Sequence, residues 1–184
     1  MGPRLPHVVL LALTLTPVAA WARGPALAPA AEARIESVAA GVRVLALDPA
    51  PEAGKRLAEQ VQRGLPPAVL AVLLDVLGAH PRGDLTPIVV RLTRDRRPEI
   101  RARAIVAWAA LGERFAMQAI AAAADDIDAR IRVLAWVLAQ RHPSPSSDAV
   151  VQALAARDAE IAARVDADRR LASAEALSSG EADR

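Results

Sequence analysis

Residues 87–140 read PIVVRLTRDRRPEIRARAIVAWAALGERFAMQAIAAAADDIDARIRVLAWVLAQ. One short pattern occurs twice in this stretch. Asp95 is followed five and six places on by Ile100 and Arg101, and Asp126 at the same offsets by Ile131 and Arg132, a period of 31 residues. A fixed period of this length marks stacked helical units, because one helix pair cannot bury its apolar face alone. The period extends outward from the centre. Val38, Val69, Ile100, Ile131 and Ile161 fall in phase. So do Ala58, Val89, Ile120 and Val150, and a third series of Val61, Leu92, Ala123 and Ala153. Three apolar series in step predict an all-α fold, an α-solenoid of about four helical pairs around a continuous core.

Composition agrees with helices. Hydrophobic residues make up 53% of the chain and aromatics only 2%, so alanine and leucine carry the apolar content. Both favour helices, and no run alternates apolar and polar as a strand would. The formal charge is +2, close to balance, although the sequence pI is about 10.2. Lys55 is the single lysine, and a balanced chain whose bases are arginines reaches neutrality only at high pH. That is not the signature of a polyanion binder. The absence of cysteine excludes disulfides, iron–sulfur clusters and thiolate zinc sites.

The N-terminus has the layout of a secretory signal. Arg4 provides a basic start, Val8–Ala20 an apolar run, and Ala20-Trp21-Ala22 a small-x-small cleavage site. The run is short for a span, which needs about 20 apolar residues. The expected organisation is a signal peptide over 1–22, a Pro/Ala linker over 23–31, the helical stack over 32–177 and a polar tail over 178–184. The expected location is periplasmic or secreted, with membrane contact only through the signal.

Pro87, Asp95, Ile100 and Arg101 resemble the HEAT repeat and its HEAT-like relatives of the phycobilisome-lyase type. That pattern has a proline early in the first helix, an aspartate in the turn and an aliphatic–arginine pair opening the second helix. Asp126, Ile131 and Arg132 match three of the four positions, with Gln118 where the proline would be. The endings Ala107–Gly112 and Leu73–Gly78 are also similar. Outward the match weakens, since Val69 has no following arginine and Ile161 is followed by Ala162. The resemblance implies a superhelix whose second helices line the concave face. It implies no activity.

Asp95, Arg101, Asp126 and Arg132 are expected to form a structural ladder. Each carboxylate sits beside a helix N-terminus, where negative charge is favoured. Each arginine offers a planar fork that can reach an aspartate of its own or the adjoining turn.

Candidate chemistry is sparse. His80 and His142 are equivalent positions two repeats apart, about 20 Å by helix-packing distances, and cannot share an ion. Asp125, Asp126 and Asp128 lack the glycine and distal glutamate of a calcium loop and are expected as helix caps. Ser144, Ser146 and Ser147 are expected in a turn and cap, with no nucleophile elbow around them. No phosphate loop is present. No catalytic residue, cofactor or metal is expected. Trp108 and Trp136 are expected in the core.

Two surfaces are candidates for partners. Arg91–Arg103 is arginine-rich, and Arg94 and Arg97 in its turn could meet phosphate, an acidic protein or an anionic headgroup. The export signal and the near-balanced charge weigh against nucleic acid, which stands second. On the second helices, Val72, Arg103, Val106, Leu134 and Val137 lie opposite the core stripe, where the apolar members lack an obvious cover. They are expected to form a groove for an apolar helix or peptide, or for a second copy of the chain. The alternative is that superhelical curvature buries them between neighbouring second helices.

Overall fold

The computed structural model describes residues 28–181, with side chains through residue 171. The expected signal peptide and the last three residues lie outside the described range. Among the described residues there are nine α-helices and no strand. They are α1 (Pro29–Leu47), α2 (Pro51–Arg63), α3 (Pro67–Ala79), α4 (Thr86–Leu92), α5 (Pro98–Ala109), α6 (Glu113–Ala124), α7 (Ala129–Arg141), α8 (Pro145–Ala155) and α9 (Ala159–Glu181). A short 3-10 turn, Gly83–Leu85, precedes α4. None of these helices is long and apolar enough to cross a membrane.

Proline within the first two positions opens α1 to α5 and α8. Its fixed φ suits the first turn, where its missing N–H has no intrahelical partner to lose. Gly64 and Gly112 bound helices at φ 96° and 126°, conformations that L side chains resist.

The helices form two rows. In the odd row α1 packs on α3, α3 on α5, α5 on α7, and α7 on α9. The even helices lie against this row, α2 on α1, α4 on α5, α6 between α5 and α7, and α8 between α7 and α9. The core lies between the rows. Val69, Ile100, Ile131 and Ile161 are fully buried in it, one per odd helix from α3 onward.

Helix α5 divides this core. Ile100, Ala104 and Ala107 pack with the N-terminal helices, while Ala102, Ile105 and Ala109 pack with the C-terminal ones. Trp108 touches both halves. The expected core role of Trp108 is met by a half-buried ring at this junction.

Several boundaries differ from expectation. Helix α1 takes in Pro29–Ala31 from the predicted linker, because Pro29 starts the helix. Helix α9 runs to Glu181 and so takes in part of the predicted tail. The acidic Asp84 before α4, a cap candidate by residue type, gives its carboxylate to Arg82 instead. Helix α8 is capped by Ser144, not Ser146 or Ser147. Ser144 and Ser147 form a reciprocal capping box.

The phased series also shift at both ends. Val38 is 39% exposed while its neighbour Ala39 is buried, since among the described residues no helix stacks on that side of α1. Leu57, not Ala58, is the fully buried residue of α2. In α8 the buried positions are Val151 and Leu154, not Val150 and Ala153. The 31-residue spacing therefore persists from Leu92 through Ala123 to Leu154, and the turn before α9 is one residue shorter.

Candidate functional site

The ladder is built at the turns that lead from even to odd helices. Arg101 enters from the first turn of α5. Its Nε and Nη2 each donate to the Asp126 carboxylate at 2.8 Å, in the turn of the next unit. Its Nη1 donates to the carbonyls of Asp95 and Arg96 in its own turn. One guanidinium thus ties two turns together. The side chains of Arg101 and Asp126 are only 11% and 8% exposed, so this pair is held away from water.

Arg132 repeats the arrangement one unit on. Its Nη1 donates to the carbonyls of Asp126 and Ile127, and its Nε to Asp158 at 2.8 Å. Asp158 is not in phase with Asp126. It corresponds to the capping position of Asp128, three places before the buried isoleucine. The shorter turn before α9 brings this capping carboxylate to where Arg132 reaches. Asp158 also accepts from the N–H groups of Glu160 and Ile161.

Asp95 has no arginine from the preceding unit, because the position equivalent to Arg101 is Leu70. It pairs within its own turn, accepting from Arg97 Nε and Nη2 at 2.8 Å each. Of the four residues expected in the ladder, Arg101, Asp126 and Arg132 link adjoining turns and Asp95 contributes its carbonyl to the link. Asp158 was legible as an acidic residue before a helix, but its register hid it.

The opposite edge is laced by Arg82. Its guanidinium donates to the carbonyls of Leu45, Asp48 and Ala50 at the α1–α2 turn, and to Asp84. A Cβ on Gly54 would collide with Asp84 Oδ2 and lie 3.0 Å from Arg82 Nη2. A larger residue at 54 would push the Asp84 carboxylate and the Arg82 guanidinium out of this arrangement.

Arginine hydrogen bonds set the titration of these carboxyls. Arg82, Arg97, Arg130 and Arg132 hold Asp84, Asp95, Asp128 and Asp158 below the ordinary value of 3.8. At Asp126 burial is the largest influence and pushes upward, but the Arg101 hydrogen bonds, the Asp128 N–H and the Arg101 charge outweigh it. A carboxyl lowered in the folded chain stabilises it above the unfolded value, and that stability is lost as pH falls through the folded value. The urea midpoint should therefore stay level from pH 7 to about 5 and fall steeply below about 4. Asp75 runs the other way. Burial raises its carboxyl against the pull of Arg103, so its protonation offsets a small part of the loss. A midpoint unchanged down to pH 2 would rule out the ladder as a source of stability.

The remaining candidate residues fall in two places. Arg94 is exposed in the α4–α5 turn, while Arg97 is engaged by Asp95. On the odd row, Val72 of α3, Arg103 of α5 and Leu134 of α7 are spaced at the repeat period, as are Asp75, Val106 and Val137. Val72, Val106, Leu134 and Val137 are all half-buried, and Val72 and Leu134 pack against the two halves of the core instead of lying uncovered opposite it as expected, because neighbouring odd helices lie close enough to take them up. Val106 lies against α3, where a Cβ on Gly78 would be 3.9 Å from its Cγ1. Arg103 Nη1 donates to Asp75 at 3.1 Å, bridging α5 to α3. Farther along, the Arg164 guanidinium lies 5.7 Å from the centre of the half-buried Trp136 ring. Arg103 Nε, Trp108 Nε1 and Trp136 Nε1 are buried without a protein acceptor.

His80 and His142 terminate α3 and α7, at equivalent turns. Asp128 caps α7 as expected, accepting from the N–H of Arg130. Among the described residues no three His, Asp or Glu side chains group as metal ligands would. Compared with known proteins, the chain matches no family model, no curated protein and no solved structure.

Proposed function

We propose that the chain is an exported, non-enzymatic α-solenoid of HEAT-like repeats that holds another protein or peptide on the face of its odd helices. The observation that carries this is the repeat-spaced face itself. Each of α3, α5 and α7 presents side chains there at the same register, and half-buried apolar residues alternate with the Asp75–Arg103 pair. A surface of this kind fits an extended or helical peptide with apolar anchors and a few charges. The ladder supports the same reading, because it fixes the register of successive units at their turns and uses none of Val72, Val106, Leu134 or Val137.

The nucleic-acid alternative has less support. Within Arg91–Arg103, Arg97, Arg101 and Arg103 each hold a carboxylate, leaving the exposed Arg91, Arg94 and Arg96 as phosphate contacts. A binder using those three should lose affinity steeply with salt. We expect no mobility shift of DNA or RNA at low salt. A salt-sensitive shift abolished by Arg94→Glu would favour the alternative.

Two measurements test the main proposal. N-terminal sequencing of protein from cell fractions should find Arg23 as the first residue outside the cytoplasm, and an intact Met1 on cytosolic protein would overturn export. Val106→Arg and Val137→Arg should leave helix content and the melting temperature close to wild type while abolishing cross-linking to the partner. Unfolding of both variants would mean that these residues are core and that the partner site lies elsewhere.

A further inference from the structure

A stack of helical units needs a polar outer face at each end to stay soluble and monomeric. The two ends of this chain differ. Helix α9 turns Arg164, Asp166, Arg169 and Arg170 to solvent at one end. Helix α1 at the other end exposes apolar side chains among its charged ones, more of them than the single Leu171 of α9. Of the five large hydrophobic residues exposed among the described side chains, Val38, Val44 and Leu47 belong to α1. Val44 is 68% exposed. Together with Gln60, Arg63 and Leu65, the outer side of α1 walls an open groove of about 660 Å³.

The order of residues on that side says what fits it. Arg34, Val38, Gly41 and Val44, with Asp48 at the C-cap, follow one another at spacings of four, three, three and four, so they share one side of the helix, and the Asp48 carboxylate there also accepts from the N–H of Ala50. The series is symmetric in chemistry about Gly41. Valine stands three residues to either side, and charges of opposite sign stand seven residues to either side. Seven residues of helix span about 10.5 Å. An identical helix laid antiparallel, with Gly41 over Gly41, would set each Val38 against a Val44 and each Arg34 against an Asp48. A parallel copy would instead face Arg34 with Arg34. Gly41 has nothing within 4 Å of the place a Cβ would occupy, so the approach at the centre is open. Arg34 and Asp48 are both exposed and at the rim, where an ion pair fixes register and orientation.

We propose that the chain forms a two-fold dimer in which α1 packs antiparallel on α1 of a second copy, crossing at Gly41. The contact is isologous, so every favourable pair occurs twice and the assembly closes at two. It joins two stacks end to end and extends the odd row across the axis. It is independent of the partner face on α3, α5 and α7, which stays open in each copy.

The test uses the full chain as purified from cells. Sedimentation equilibrium should give a dimer. Val44→Arg should raise the dissociation constant by at least about 100-fold, because each copy then presses an unpaired charge against Val38 of the other, with the melting curve of the dilute monomer unchanged. Arg34→Glu should also weaken the dimer, and Arg34→Glu with Asp48→Arg should restore it. The chain has no cysteine, so Gly41→Cys offers a clean geometric probe. Oxidation should link it as a symmetric dimer, since a disulfide needs Cα atoms within about 7 Å. A wild-type monomer at about 100 μM would overturn the proposal and leave this face to a foreign helix or to the chain's own N-terminal residues. A dimer that survives Val44→Arg, or that Gly41→Cys does not link, would place the contact on another surface and also overturn it.

Discussion

Arg101→Ala and Asp126→Ala should each lower the free energy of unfolding by about 3–5 kcal/mol, with the native helix content unchanged. The size follows from burial. Both side chains are nearly closed to water, and removing either partner leaves the other charged and unpaired. Arg101→Ala also strips a donor from the carbonyls of Asp95 and Arg96. For a chain of this length the loss corresponds to a fall in melting temperature of about 2–4 °C per kcal/mol. Arg132→Ala should cost less, because that arginine is 27% exposed and water can replace part of what is lost. Replacing Arg101 and Asp126 together by Met and Leu should recover much of the stability, since the desolvation of both charges is then avoided. Urea denaturation of the two single variants and the double variant measures all three. Unchanged midpoints in both single variants would show that the turns are held by packing alone.

Ile100→Ala and Ile105→Ala should each cost about 2–5 kcal/mol. Both isoleucines are fully buried, but they face different halves of the core. If α5 couples the halves, either substitution should destabilise the whole chain in a single transition, because neither half can lose its side of α5 and keep the other. Calorimetry distinguishes this from two separate meltings. A second transition appearing only in Ile105→Ala would mean that α1–α5 is stable without the helices that follow. Stacked units couple mainly to their neighbours, so the strength of that coupling is a property of the shared helix.

The sequence by itself determined the helical class and the period. Alanine and leucine at helical spacing leave no strand to form, and an isoleucine recurring every 31 residues must meet a similar environment each time. Ile100 and Ile131 are accordingly both fully buried. The sequence also marked Arg101, Asp126 and Arg132 as a linked set, because a fork-shaped donor and a turn carboxylate recur at fixed offsets. Tertiary structure alone decided which turn each arginine joins. Asp158 became the acceptor of Arg132 because a turn lost one residue, a change of register that pattern matching reads as a mismatch. Asp95 turned to Arg97 because the preceding unit carries Leu70 where an arginine would reach it. The burial of Val72, Val106, Leu134 and Val137 likewise depended on how closely neighbouring odd helices approach, a distance set by small residues such as Gly78 on the facing helix. The exposure of Val38 was decided at the end of the stack. A series in perfect phase says what each position would pack against, but among the described residues no helix before α1 supplies it.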